Sequence, residues 1–478
     1  MRVGTRSDVR LIQSLAISAL ILAFLILSGS QSANALPAFA RKYGLRCSAC
    51  HESWPMLNYF GQKFKDNGYQ LMNDKDSPIW QNPGYWPVTF RITPIWHRVS
   101  TDHVAVDQAA TGATRITTSG FDLSGLDFHT GGTLEKNISF YVLPSSDNHA
   151  SFHFETVMAR LDNLFGSPWL NLKLGKFELD NMLSEKRILT LTANGGVYQL
   201  YHFTPVGDGN IFGKMGDNQI GVELMGHSFD DRTRYSAALL SSTDGNVGLP
   251  YGSAYTGFFT FSQAFDTGKL GVDRIGGYAM LGEAPTYYRT SGGPTGVLAG
   301  TGIGNKSFHR EGVFGLFYFG QHVDVQVVTQ HGWDNAWFGQ GYGDLINGAA
   351  SNNNLPGTFL PTGSQAPTWN GVLIEPHYVY SQQLIFLARY ESIRMSRQAN
   401  GSGCLACGGS GFPSPSNFGN IATYTVGMRY NPFMTSRAGF AWHNEFNWLH
   451  QDGTGPLLGL SSSNINTNEL LTGFDFDF

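Results

Sequence analysis

The sequence predicts an all-β protein: a transmembrane antiparallel β-barrel of about sixteen strands, its lumen plugged by a small N-terminal helical domain. Three observations point there. Past Leu36 no apolar stretch approaches the roughly 18 residues that a membrane-crossing helix needs, so membrane residence has to come from strands. From Trp86 to the last residue, apolar and polar side chains alternate with period two. The final segment, Phe474-Asp475-Phe476-Asp477-Phe478, is a strand that ends in Phe, the residue read by the machinery that assembles outer-membrane barrels.

The first element is a targeting segment. Arg2, Arg6 and Arg10 precede an apolar run from Leu11 to Leu27, and Ala33-Asn34-Ala35 supplies a small-residue cleavage site. Residues 1–35 therefore read as a secretory signal peptide, with a membrane anchor as the weaker alternative because of the Ala-x-Ala ending. Only 14% of the 478 residues are charged, while 59 Gly, 34 Phe, 20 Tyr and 10 Trp are present, which excludes a disordered chain. A net charge of −5 leaves no basic footprint for nucleic acid.

Residues 36–84 form the helical domain. Trp54, Leu57, Phe60 and Phe64 are spaced to share one helix face, with Lys63, Lys65 and Asp66 on the polar side. About fifty residues cannot bury enough surface to stand alone, so a cofactor, a staple or a neighbouring wall is required.

Within it, Cys47-Ser48-Ala49-Cys50-His51 matches the attachment motif for c-type haem. Two thiols add to the porphyrin vinyl groups and the next imidazole ligates iron. A two-residue gap lets one helical turn present both sulfurs to one porphyrin edge, and His51 follows beneath the ring. A disulfide or half a zinc site are the alternatives, but no second metal-ligand pair lies nearby. For the second axial position the candidates are Met56, Met72, His97 and His103. Met56 is too close to His51 to wrap around the ring. Met72 follows Gly68-Tyr69, a workable return path, and is preferred. His97 shares the parity of Thr89, Arg91 and Thr93, so it should face the lumen.

Residues 85–478 form the barrel. Leu170, Leu172 and Leu174 alternate with Asn171, Lys173 and Gly175, while Val323, Val325 and Val327 flank Asp324 and Gln326. Tyr424, Val426, Met428 and Tyr430 alternate with small or polar residues. Lipid outside and water inside would demand that division, and the length is porin-like. A β-sandwich also alternates, but Trp and Tyr near strand ends fit interfacial girdles, and the inward residues are too polar for a dry core. Long Gly- and Asn-rich loops are expected near Thr286 to Asn305, Gly339 to Thr368 and Ser396 to Asn420, facing outward, with short turns facing the periplasm. Cys404 and Cys407, in the last of these, lack a following His and read as a small disulfide, with a metal site as the lesser alternative. Asp475 and Asp477, Glu283, and Asp230 with Asp231 have no partners at hydrolytic spacing, and no nucleophile elbow or phosphate loop is present.

With Pro37-Ala38-Phe39-Ala40-Arg41-Lys42-Tyr43-Gly44 ahead of the haem motif, and Phe60-Gly61, Phe64-Lys65 and Gly68-Tyr69 after it, the chain resembles the fused monohaem c-type cytochrome–porins of iron-oxidising bacteria. LNLKLGKFEL, Leu170 to Leu179, is similar to a strand of phosphate-selective-type porins. The resemblance implies an outer-membrane iron(II) oxidase of the ferrous iron:cytochrome c oxidoreductase type. It would carry one covalent haem c, with Cys47 and Cys50 as attachment residues and His51 as proximal ligand. Extracellular iron(II) would be the donor and a periplasmic cytochrome or copper protein the acceptor, with outer-membrane lipid around the barrel. Lys42-Tyr43-Gly44 stand where other members more often read Gln-Thr-Gly. Two further readings follow from the parts: an electron conduit with another donor, and a solute porin whose haem domain is structural or sensory.

Overall fold

The computed structural model describes residues 37–53, 56–72, 76, 78, 87–105, 113–146, 151–180, 215, 218–242, 254–284, 287–289, 298–300, 305–334, 368–397, 420–435, 438–451 and 464–478. Among them, sixteen strands make one closed antiparallel barrel. They are β1 Val88–Ala105, β2 Ala113–Glu135, β3 Ile138–Ser146 and β4 Phe152–Leu161, then β5 Asn171–Phe177, β6 Gln219–His227, β7 Thr233–Ser241 and β8 Tyr255–Asp266. The second half comprises β9 Val272–Ala284, β10 Lys306–Tyr318, β11 Val323–Asp334 and β12 Thr368–Ser381, then β13 Leu384–Arg397, β14 Ile421–Met434, β15 Gly439–Gln451 and β16 Ile465–Asp477. Each strand pairs with its sequence neighbours, and β16 returns to β1, with Thr467 opposite Thr101 and Asp477 opposite Arg91. The seam is completed by Phe478, whose N–H donates to Phe90 O at 3.0 Å while Phe90 N–H donates to Phe478 O at 2.9 Å. Closure satisfies every strand's backbone within the sheet, which is what allows strands to sit in hydrocarbon.

Alternation sorts side chains as the sequence predicts. On β11 the even positions Asp324, Gln326, Val328 and Gln330 are buried inward, and the valines at 323, 325 and 327 lie outward. On β14, Tyr424 and Val426 are exposed on the outer face while Thr423 and Thr425 are buried inside. Phe259, Leu281, Val313, Leu470 and Phe474 continue the exposed apolar exterior around the sheet. Water would penalise such a surface and a bilayer would not. Aromatic rings gather near both ends of the strands: Trp169 stacks on Tyr235 beside the short turns, and Tyr424 lies between Tyr390 and Trp448 beside the long connections.

The lumen is less uniformly polar than expected. The inner faces of β8 to β12 carry a buried apolar layer, including Phe258, Met280, Phe308, Val328, Trp369 and Leu373. The Arg310 guanidinium stacks 4.3 Å from the Trp369 ring centre and pairs with Asp334 at 2.8 Å. Further round the sheet, β13 to β16 and β1 present Glu391, Asn447, Glu445, Glu469 and His97. Period-two alternation fixes which side chains point inward but says nothing about which sectors of the wall stay polar.

The N-terminal residues form three short helices, α1 Pro37–Tyr43, α2 Cys47–Cys50 and α3 Tyr59–Asp66. A two-rung ribbon joins His51–Ser53 to Met56–Leu57 between the last two. The long amphipathic helix predicted through Leu57, Phe60 and Phe64 is thus shortened. Leu57 lies in the ribbon, and the helix begins only after Asn58, whose side chain caps it. Phe64 is buried against Phe39, Tyr43 and Tyr69, whereas Phe60 is exposed.

These elements sit at the short-turn mouth of the barrel. Ala38 N–H donates to Thr89 Oγ1 at 3.1 Å, Arg41 to Val88 O at 2.7 Å and Lys42 Nζ to Thr133 Oγ1 at 3.0 Å. Tyr59 and Lys63 donate to the carbonyls of Asp230 and Phe229 in the β6–β7 turn. Tyr318, at the end of β10, donates to Glu52. Tyr69 packs on Tyr141 of β3, and Phe39 lies over Gly131 of β2. Contacts to β1, β2, β3, β6, β7 and β10 place the segment inside the barrel wall, with its weight toward the end expected to face the periplasm.

Candidate functional site

The candidate site is the turn 47–51. Helix α2 is a single turn, the length needed to bring residues i and i+3 to one side. Cys50 is a buried free thiol, and burial pushes it up to about 11. His51 is 8% exposed and pairs across the ribbon with Leu57. A reduced thiol followed directly by an enclosed imidazole is a donor set that fits a c-type haem. The residues that would hold it are Cys47 and Cys50 by their sulfurs and His51 by its ring.

Residues at both ends of α3 fix the turn, and pattern reading gave Asn58, Arg160 and Arg234 no part in it. Asn58 Oδ1 accepts from Gly61 N at 2.9 Å as the α3 cap, while Asn58 Nδ2 donates to Ser48 O and Ala49 O at 3.3 and 3.1 Å. Gly61 lies against Cys50: a Cβ there would stand 2.8 Å from Cys50 C and 2.9 Å from its Cα, closer still to its oxygen. At the other end of α3, Arg160 of β4 donates to the carbonyls of Lys65 and Asp66 at 2.7 and 2.8 Å and pairs with Asp162 at 2.8 Å. Arg234 of β7 adds an ion pair to Asp66 at 3.0 Å. Gly68, at a φ of +71°, ends the helix in the left-handed region and abuts Asp162. Asn immediately ahead of an apolar-periodic run is a legible cap signal, whereas the wall arginines carry no local signature.

Beside the turn is a cavity of about 520 Å³, bounded by Glu52, Met56, Leu57 and Phe60 on one side and by Ser262, Arg274, Phe314 and Leu316 on the other. Its described lining does not include Cys50 or His51. Glu52 is pushed up to about 7 by burial and by the nearby Asp324, against the opposing hydroxyl of Tyr318 and charge of His377. Arg274 is anchored by the carbonyls of Arg232 and Asp231 and by Ser262 Oγ, at 3.1, 2.8 and 2.9 Å.

Of the candidate axial residues, Met72 is 57% exposed with a φ of +62°, at the end of the chain that leaves α3. Met56 is buried against Ile385 and Leu387 of the wall, with Gln326 Nε2 3.9 Å from its sulfur. His97 faces the lumen, as its parity predicts, 4.0 Å from Glu469. His103 lies 3.1 Å from Asp102. Asp475 serves the wall, accepting from Thr93 at 3.1 Å and pairing with Arg429, and Asp230 and Asp231 shape the β6–β7 turn. The signal peptide and the Cys404–Cys407 pair lie outside the described residues.

No protein-family model and no curated relative matches the chain. Among solved structures it is similar to an anion-selective porin from Comamonas acidovorans, at 12% identity and a TM-score of 0.48 over 82% of this chain and 99% of that one. OprB of Pseudomonas putida matches at 8% identity and 0.47, covering 82% and 94% of the two chains. The outer membrane channel DcaP of Acinetobacter baumannii matches at 11% and 0.44, covering 81% and 97%. A closed sixteen-stranded sheet with an apolar exterior and charged groups inside makes this chain a porin-like β-barrel of the bacterial outer membrane.

Proposed function

We propose that the chain carries one covalent haem c on Cys47 and Cys50, with His51 as proximal ligand, and transfers electrons across the outer membrane. The observation that carries this reading is the buried free thiol of Cys50 next to the buried imidazole of His51, on a turn tied down inside a barrel. When bound, the haem supplies a one-electron iron couple. The chain's own residues supply the rest. Asn58 and Gly61 join the turn to α3, Arg160 holds α3 to the wall, and Phe39, Tyr43, Phe64 and Tyr69 pack α1 onto α3 and the residues after it.

Placement at the short-turn mouth suits delivery to a periplasmic cytochrome or copper protein. The donor, which the resemblance gives as extracellular iron(II), then has to travel down the lumen. The β13 to β1 side presents Glu391, Glu445 and Glu469, carboxylates along which an aqueous cation would be tolerated. In this arrangement the protein is an iron(II) oxidase by electron transfer, with Met72 as the proposed second ligand. Purified protein should show haem peroxidase activity on a denaturing gel, and aqueous iron(II) should reduce it; His51→Ala should abolish the reduction with the barrel still folded. A wild-type haem that stays oxidised in excess iron(II) but accepts electrons from another donor would leave a conduit and remove the iron oxidase.

The cavity beside α3 favours a second reading, a solute porin with a structural or sensory haem domain. Single-channel conductance in planar bilayers separates the two, because a sealed conduit passes no steady ionic current.

A further inference from the structure

We infer that Asn58 is the positioning residue that aims the Cys47–His51 turn, an inference that rests on the haem reading above. Its backbone N–H donates to Cys50 O at 2.9 Å. Its side chain holds both neighbours at once: Nδ2 donates to Ser48 O and Ala49 O, and Oδ1 accepts from Gly61 N. A helix cap alone needs only the acceptor. The carboxamide offers two N–H donors beside its acceptor oxygen, and the atoms they take are carbonyls of the CSAC turn.

The far end of α3 is fixed independently of the turn. Arg160 and Arg234 clamp Lys65 and Asp66 to the wall. A strut therefore runs from the barrel through α3 and the Asn58 side chain to the carbonyls of Ser48 and Ala49, beside the backbone bond to Cys50 O that any residue but proline would make. Groups that orient a ligating imidazole without touching the metal tune its bond to iron. The Asn58 carboxamide acts on His51 in that way, through the turn that precedes it.

Two substitutions separate aiming from capping. Asn58→Asp keeps the acceptor for Gly61 N, gains from the helix dipole, and loses both donors to the turn. Asn58→Ala loses both functions. Full-length protein folded in detergent is compared for covalent haem on a denaturing gel, visible spectrum, midpoint potential, and amide exchange of α3. For Asn58→Asp the expected result is α3 exchange like wild type, together with less covalent haem or a shifted spectrum and potential. For Asn58→Ala both sets of readouts should move. Wild-type haem content, spectrum and potential in Asn58→Asp would overturn the inference and leave the haem reading standing. So would haem changes that appear only in step with faster α3 exchange. A wild-type protein without covalent haem would remove the haem reading and this inference with it.

Discussion

Gly61→Ala sets two effects of opposite sign against each other. In an exposed helix interior, Ala is favoured over Gly by about 0.8–1 kcal/mol, because less backbone freedom is lost. Here the added methyl meets the Cys50 peptide, with its carbon 2.8 Å and its Cα 2.9 Å away. Carbon atoms at van der Waals contact sit about 3.5–4.0 Å apart, so α3 would have to retreat by roughly 0.7 Å or more. Backbone cannot swing aside as a long side chain can, and overpacking of this kind costs about 1–3 kcal/mol. The clash also breaks into the Asn58 bonds that join α2 to α3. The net expectation is a loss of about 1–2 kcal/mol, or roughly 5- to 30-fold more frequent opening of α3. Hydrogen–deuterium exchange of peptides covering residues 56–69 reads this directly, with the strands of the barrel as an internal control. Slower or unchanged exchange in Gly61→Ala would show that helix propensity decides and that α3 does not rest on the Cys50 peptide.

The haem readings give two more expectations. Cys50→Ala should weaken or abolish the haem-stained band on a denaturing gel while the unboiled protein still migrates as a folded barrel; an undiminished band would detach this cysteine from the cofactor. Met72→Ala should remove the weak sulfur-to-iron band at the red end of the oxidised spectrum, and Met72→His should lower the potential, whereas an unchanged spectrum in Met72→Ala would pass the role to His97. In the barrel, deleting Phe478 removes two backbone hydrogen bonds to Phe90 and a stacked ring pair 5.3 Å apart, a loss of about 1–3 kcal/mol at the seam. Less heat-modifiable protein in the membrane fraction is expected from the deletion, with Phe478→Tyr close to wild type, and equal yields of all three would discount the residue.

The barrel was legible because its signal is redundant. Val323, Val325 and Val327 face out and Asp324 and Gln326 face in, as period two requires, and the same rule places His97 in the lumen. The apolar layer around Trp369 was not legible, since a strand's own sequence does not say what lies across the lumen from it. The motif at Cys47 to His51 is likewise local and could be read outright. What supports it is not local. Arg160 is 94 residues from Asp66, and nothing near either residue announces the clamp. The helix was overextended because Leu57, Phe60 and Phe64 satisfy helical spacing, while the start of α3 after the Asn58 cap belongs to backbone chemistry that spacing ignores.

The pairing of Phe478 with Phe90 also imposes a schedule. A sealed cylinder has no side door, and the segment 37–72 that it encloses enters the sequence ahead of β1. Anything that enters from the side does so while β1 and β16 are still apart, and afterwards only the mouths of the cylinder remain as ways in. Reopening the side means breaking the whole β16–β1 ladder from Thr467 to Phe478 inside hydrocarbon.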